Sequence, residues 1–326
     1  MSPQTGRRIV IPGGTGQVGT LLARHFYENG DDVTVITRHP IAAEWKTIAW
    51  TGLDLGPWTE AIDGCDVVIN LAGRSVNCRY NAANQSEVKT SRTITTSLIG
   101  EAIAAASHPP PVWLNASTAT IYRHSLNQPI DDLTGELGGS ERDAPPKWRF
   151  SIDVATSWER AFFAADVRNT RRVAMRSAMT MSPDPGGVFD TLLWLVRWGL
   201  GGKAGSGKQY VSWIHDVDFI RAVEFLIEKD NLDGAVNLAS PCPLPNREFM
   251  SCLRRAWCTS YIGIPAPKWM LEIGAVLLRT ETELILKSRR VVPRRLPDAG
   301  FEFHFPNWRG ACVDLVERWR QAHTVV

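Results

Sequence analysis

The chain has 326 residues, of which 44% are hydrophobic and 21% charged, and its formal net charge is +2. That balance is ordinary for a globular protein and excludes a disordered, collagenous or strongly basic nucleic-acid-binding chain. The length predicts one large domain or two interlocked ones.

Ile9 to Ile11 is a short β-branched run that reads as a strand. Gly13, Gly16 and Gly19 follow at every third residue, and an amphipathic stretch with Val18, Leu21, Leu22, His25 and Phe26 begins at once. Strand, glycine-rich turn and helix in that order predict a dinucleotide site. Gly13 permits the tight turn, Gly16 lets a pyrophosphate approach the backbone, and Gly19 lets the helix pack closely on the strand. Thr15, Gln17 and Val18 complete the turn, whose exposed amides and helix dipole hold the phosphates.

A second strand is expected over Val33 to Thr37, after the turn Asn29-Gly30-Asp31-Asp32. In a doubly wound fold the tip of this strand meets the adenine ribose, where a carboxylate suits NAD and an arginine suits the 2′-phosphate of NADP. Arg38 stands at that tip, whereas Asp31 and Asp32 lie at the other end of the strand. The expected cofactor is therefore NADP(H).

Further along, Val67–Asn70, Val112–Asn115, Arg172–Arg176 and Ala235–Leu238 read as strands. Ser86–Ala106 and Ser151–Ala165 read as helices, the latter with Trp158, Phe162 and Phe163 on its buried side. Repeated strand–helix units predict an α/β fold, a Rossmann-type doubly wound parallel sheet. From about residue 181 the pattern loosens. Val188–Leu200 is an apolar helix rich in Trp, and mainly helical segments follow Pro241, Pro243 and Pro245. The expected division is a cofactor domain over 1–180, to which 212–240 returns, and a smaller substrate lobe from 181–211 and 241–326.

The six cysteines never form a Cys-x-x-Cys pair, so no metal site is expected and a reducing cytoplasm fits. The longest apolar stretch, Trp269 to Leu278, contains Glu272 and is too short to span a bilayer. A small-molecule substrate is expected, with neither a nucleic-acid nor a membrane partner.

Gly202-Lys203-Ala204-Gly205-Ser206-Gly207-Lys208 nearly spells a phosphate-binding P-loop. Gln209 replaces the hydroxyl residue that would ligate Mg²⁺, and no strand precedes it, so nucleotide hydrolysis is not expected. Lys208 and Gln209 remain candidates for the substrate cleft. Arg294, in a cluster with Arg289, Arg290 and Arg295, is a candidate for an anionic ligand group. His215 beside Asp216 and Asp218 reads as a helix start capped by Asp216.

The glycine turn from Gly13 to Gly19 resembles that of extended short-chain dehydrogenases/reductases, and Asn70-Leu71-Ala72-Gly73 resembles their segment beside the cofactor. Asn115-Ala116-Ser117 with Tyr122, Trp158-Glu159, Ser212-Trp213-Ile214-His215-Asp216 and Val292-Pro293-Arg294-Arg295-Leu296 are similar to one atypical branch, the sugar-epimerase-like proteins with a C-terminal domain of unknown function. The resemblance implies that Leu71, Ala72 and Gly73 line the cofactor, that the protein acts on a carbonyl compound or a nucleotide-linked sugar, and that it is a monomer or a homodimer. That superfamily catalyses proton exchange with Tyr-x-x-x-Lys on one helix. No such pair occurs here: Ser151 stands at the tyrosine position and Ala155 at the lysine position. Ser117 and Tyr122, after the strand at Val112, and Asp153 on the helix are the candidate replacements. An NADP(H)-binding sensor or scaffold without turnover is the alternative.

Overall fold

The computed structural model describes residues 6–141, 146–258, 263–266 and 286–323; the apolar stretch Trp269–Leu278 lies outside them. Seven strands form one parallel sheet. In chain order the strands of the molecule are β1 (Arg8–Pro12), β2 (Asp32–Thr37), β3 (Lys46–Ala49), β4 (Val67–Asn70), β5 (Val112–Thr118), β6 (Arg171–Ser177), β7 (Met179–Met181), β8 (Tyr210–Val211), β9 (Trp213–His215), β10 (Gly234–Leu238) and β11 (Leu244–Pro245). The sheet runs β10-β6-β5-β4-β1-β2-β3, while β7 pairs with β9 and β8 with β11. β3 escaped the sequence reading because it is an edge strand with no fully buried residue. The short strands β7, β8, β9 and β11 carry too few residues to show a period.

Among the described residues the helices longer than two turns are α1 (Gln17–Glu28), α2 (Ala82–Ala105), α3 (Pro146–Ala164), α4 (Val188–Arg197), α5 (Asp216–Glu228), α6 (Asn246–Trp257) and α7 (Trp308–His323). Alternation along β1 sends Ile9 and Ile11 to one face of the sheet and Val10 to the other. Leu22 and Phe26 of α1 and Phe219, Val223 and Leu226 of α5 cover the first face. Ile99 and Ile103 of α2 and Phe162 of α3 cover the second. Helices on both faces explain why the strands read as continuous apolar runs. Each large apolar side chain buried in these layers contributes about 1.5–3 kcal/mol.

A separate core lies beyond β6. It gathers Phe189 and Leu193 of α4, Phe249 and Leu253 of α6, and Trp308, Leu315 and Trp319 of α7 around Trp213. Trp308 stacks on Phe249 at 4.0 Å and meets Trp213 edge-on at 5.0 Å.

Several local expectations change. α2 starts four residues before Ser86 because Asn81 caps it, its side chain accepting the Asn84 N–H. Phe163 does not share the buried side of α3 with Trp158 and Phe162; it is exposed. α4 ends at Arg197, and its Trp194 faces solvent, as does Trp198 just beyond. The N-cap of α5 is His215, whose Nδ1 accepts the Val217 N–H at 3.2 Å, and Asp216 Oδ1 accepts the same N–H at 2.9 Å. Asp216 also takes a bidentate pair from Arg318 of α7, at 2.8 Å for each bond.

Candidate active site

From β1 the chain builds outward through β2 and β3, then returns to start β4 on the other flank of β1. Strand order therefore reverses between β1 and β4. In such sheets the crevice at the carboxyl ends of those two strands is where a ligand binds.

The glycine turn forms the floor of that crevice. Gly13 has φ +77° and donates its N–H to the Ile36 carbonyl at 2.7 Å. A Cβ on Gly13 would lie 2.6 Å from the Ala72 backbone, so the turn presses directly on the exit of β4. Gly16 caps α1 with no side-chain bond to the first-turn amides, and a Cβ on it would meet nothing within 4 Å. The first amides of a helix have no partner within the helix, so an anion is the group this open end suits. Gly19 works differently from expectation. Its missing Cβ admits the Gly14 backbone, 2.5 Å from where the carbon would stand, so the helix packs on the turn rather than on the strand. Gln17 turns its side chain toward Gly187, the cap of α4, and its buried Nε2 has no hydrogen-bond partner. An open cradle and an orphaned donor beside it fit a bound dinucleotide pyrophosphate.

At the tip of β2, Thr37 and Thr15 share a hydrogen bond at 3.1 Å, and Arg38 follows exposed. Asp31, at the opposite end, pairs with Arg7 at 2.9 Å. On the other flank, Asn70 is fully buried and fixes the exit of β4. Its Oδ1 accepts the Ala72 N–H at 3.0 Å, and its Nδ2 donates to Asn115 Oδ1 at 2.6 Å and to Thr96 Oγ1 at 3.1 Å.

Beneath the carboxyl ends of β5 and β6 runs a buried polar chain. Ser117 Oγ donates to Glu159 Oε1 at 2.6 Å. Arg176 clamps both Glu159 oxygens, at 2.8 and 2.7 Å, and donates to the Tyr122 hydroxyl at 2.9 Å. The Tyr122 hydroxyl in turn donates to Asn237 Oδ1 on β10 at 2.9 Å. Burial alone would lower the Arg176 guanidinium, but its bonds and attraction to Glu159 outweigh that and hold it raised. Burial pushes the Tyr122 phenol up, and Arg176 offsets this only in part.

Of the three catalytic candidates, the structure thus joins Ser117 and Tyr122 through Glu159 and Arg176. Tyr122 is only 1% exposed and both hydroxyls are engaged. Asp153 stands apart, exposed on α3 and paired with Lys89 of α2 at 2.7 Å. Ala155 is fully buried against Ala119, Ile121 and Tyr122.

The lobe candidates make contacts of their own. Gln209 is buried and closes its own loop, donating to the Ala204 carbonyl at 2.9 Å. Lys208 is exposed. Arg294 is a surface residue between Asp131, at 3.7 Å, and Asp298, at 3.6 Å. Its neighbours are committed elsewhere: Arg290 donates to the Asn127 carbonyl and lies over Tyr210, and Arg295 donates to the Ala235 carbonyl. Arg290 and Arg295 therefore fasten loops by capping carbonyls. Among the described residues no cluster of His, Cys, Asp or Glu could hold a metal ion, and no helix is long and apolar enough to cross a membrane.

Two residues at the crevice were missed. Thr118, the last residue of β5, is half-buried there and its side chain accepts the Thr120 N–H; its place directly after Ser117 was the available signal. Arg92 of α2 lies beside Gly73, which no spacing rule indicates.

A profile of the NAD dependent epimerase/dehydratase family matches residues 9–239, and one described as a domain of unknown function (DUF1731) matches residues 266–315. The chain is 31% identical to the mouse epimerase family protein SDR39U1, over 95% of this chain and 99% of that one. It is 32% identical to the epimerase family protein SERP0438 of Staphylococcus epidermidis, with the same coverages. Among solved structures, the human epimerase family protein SDR39U1 (isoform 2) with NADPH superposes with a TM-score of 0.81 at 29% identity, covering 95% of this chain and 99% of that one. The Bordetella bronchiseptica enzyme WbmG in complex with NAD and UDP shares the fold, with a TM-score of 0.71 at 16% identity over 98% and 97% of the two chains.

Proposed function

The chain belongs to the NAD-dependent epimerase/dehydratase family, and on that premise we propose that it binds NADP(H) and acts as an oxidoreductase or epimerase on a small carbonyl compound or a nucleotide-linked sugar. The observation that carries this reading is the open glycine cradle at the strand reversal, with the orphaned Gln17 amide beside it. The human relative solved with NADPH supports the choice of cofactor.

In this reading Gly13, Thr15, Gly16, Gln17, Val18 and Gly19 hold the pyrophosphate through backbone amides and the α1 dipole. Arg38 faces the 2′-phosphate, for which a guanidinium fork is suited. Leu71, Ala72 and Gly73 line the reacting half of the crevice. A dinucleotide held there would supply or accept a hydride. Ser117 and Tyr122 act as positioning residues: their relay pins β5 to β6 and β10 and so fixes where Thr118 presents its hydroxyl. The proton of the reaction exchanges with solvent at this end of β5, because no Tyr–Lys pair stands on α3.

A second reading, an NADP(H)-binding sensor or scaffold without turnover, is favoured by one observation: the lysine position is Ala155, fully buried. The two readings separate in one assay. The NADPH-loaded protein is mixed with aldehydes, ketones and nucleotide sugars while nicotinamide absorbance and sugar configuration are followed. Turnover of any member supports the enzyme, whereas tight NADPH binding with no turnover across the panel favours the sensor.

A further inference from the structure

Among the described residues Arg92 is a cation without an acidic partner. It projects from α2 toward Gly73, where an added Cβ would lie 3.1 Å from Arg92 Cγ and 3.2 Å from Cζ. One nitrogen, Nη1, donates to the Val88 carbonyl at 2.8 Å, and the guanidinium lies 5.1 Å over the Trp158 ring. Burial dominates its electrostatics, opposed only by the more distant Tyr80 and Cys78. Burial lowers its pKa to about 10, which leaves it charged at neutral pH. A half-buried guanidinium has five N–H donors, and a charge withdrawn from water ordinarily acquires a partner.

Its support is rigid. Trp158 Nε1 donates to Thr96 Oγ1 at 2.9 Å, and Thr96 Oγ1 accepts from Asn70 Nδ2, the residue that fixes the exit of β4. Arg92 is therefore built into the reacting half of the crevice. Trp158 follows Ala155 by one helical turn, so the guanidinium stands over the stretch of α3 from which the lysine is missing.

We propose that Arg92 grips an oxyanion of the substrate, a carboxylate or a phosphate, beside the reacting end of the dinucleotide. The inference rests on the proposed dinucleotide site for its placement. It makes the substrate an anionic carbonyl compound or sugar, held by a planar fork that matches two oxygens. Restoring a cation near the vacated lysine position is the second consequence, since the same charge stabilises an alkoxide developing at the neighbouring carbon.

The test is calorimetric titration of the NADPH-saturated full chain with inorganic phosphate, with glucuronate, and with uncharged glucose. Phosphate or glucuronate binds the unsubstituted protein and glucose does not; whichever anion binds identifies the oxyanion. Arg92→Gln weakens that binding roughly tenfold or more, the size of one charge-assisted contact. Arg92→Lys keeps the charge and weakens it less, which a merely structural role would not produce. NADPH affinity, read separately from nicotinamide fluorescence, is measured for each variant so that anion binding is compared only between NADPH-saturated proteins. Absence of anion binding to the NADPH-loaded protein, or binding unchanged in Arg92→Gln, overturns the inference. Failure of NADPH itself to bind overturns the dinucleotide site instead, and the same anion comparison on the cofactor-free chain then decides the role of Arg92.

Discussion

On the β1–β2 flank of the crevice the site is made of absent atoms; on the β4–β5 flank it is made of side chains locked to one another. Gly13, Gly16 and Gly19 work by lacking a Cβ, so backbone meets backbone or stays open. Across the reversal, Asn70, Asn115, Thr96, Ser117, Glu159, Arg176, Tyr122 and Asn237 fill the space with mutual hydrogen bonds. The difference teaches that binding and positioning fail in different ways. A cradle of glycines is lost by adding an atom, whereas a buried polar chain is lost by removing one.

The largest effect is expected on the second flank. Glu159→Ala leaves Arg176 buried and uncompensated, which costs about 3–5 kcal/mol. The thermal midpoint then falls by on the order of 10 °C, measurable by circular dichroism. Glu159→Gln keeps the shape and loses less. If Glu159→Ala melts with the unsubstituted protein, the relay does not hold the strands together.

Next comes the first flank. Gly19→Ala places a methyl 2.5 Å from the Gly14 Cα and must open the turn. Overpacking of this kind costs about 1–3 kcal/mol, and here the distortion falls on the phosphate cradle. NADPH affinity is expected to drop roughly 100-fold in a fluorescence titration, with the protein still folded. Preserved affinity would detach the cradle from binding.

Arg38→Ala removes one charged contact at the tip of β2 and leaves the cradle intact. It is expected to weaken NADPH by roughly 10- to 100-fold while leaving NADH nearly unchanged. Equal losses for both would remove Arg38 from the 2′-phosphate.

The smallest effect is the pH response of the link between α5 and α7. His215 is fully buried, donating from Nε2 to Asp314 at 3.0 Å and accepting the Val217 N–H at Nδ1. Burial lowers its pKa below the usual value, against the opposing pull of Asp216 and Asp314. The unfolded chain therefore binds the proton more readily than the folded one. Its stabilising contribution is complete above about pH 6.5 and declines as pH falls below it, by at most about 1.4 kcal/mol per unit. His215→Gln should flatten that limb of a stability-against-pH curve; an unchanged limb assigns the acid sensitivity elsewhere.

The contrast between the flanks also explains what could be read from the chain. Glycine spacing is local, so the turn at Gly13–Gly19 and the tip at Arg38 were visible within one strand–helix–strand unit. The sheet was visible for the same reason, because covered strands such as Val67–Asn70 are uniformly apolar. Arg92 and Gly73 meet across nineteen positions of sequence, and Tyr122 meets Asn237 across 115. Only the fold makes those pairings. The contacts of Gln209 and Arg294 could not be read from the chain, because polar residues between helices look alike in sequence whether they face a ligand or close a loop. The start of α2 moved four residues upstream of Ser86 because Asn81 caps it, and at α5 His215 and Asp216 share the first free amide.

The most direct test of the dinucleotide site is a side-by-side titration of the unsubstituted protein with NADPH and NADH, read from nicotinamide fluorescence. The glycine cradle with Arg38 at its rim predicts saturable NADPH binding at micromolar concentration and a preference over NADH of roughly tenfold or more. Equal affinity for the two would contradict the assignment of Arg38, and no binding of either would contradict the site itself.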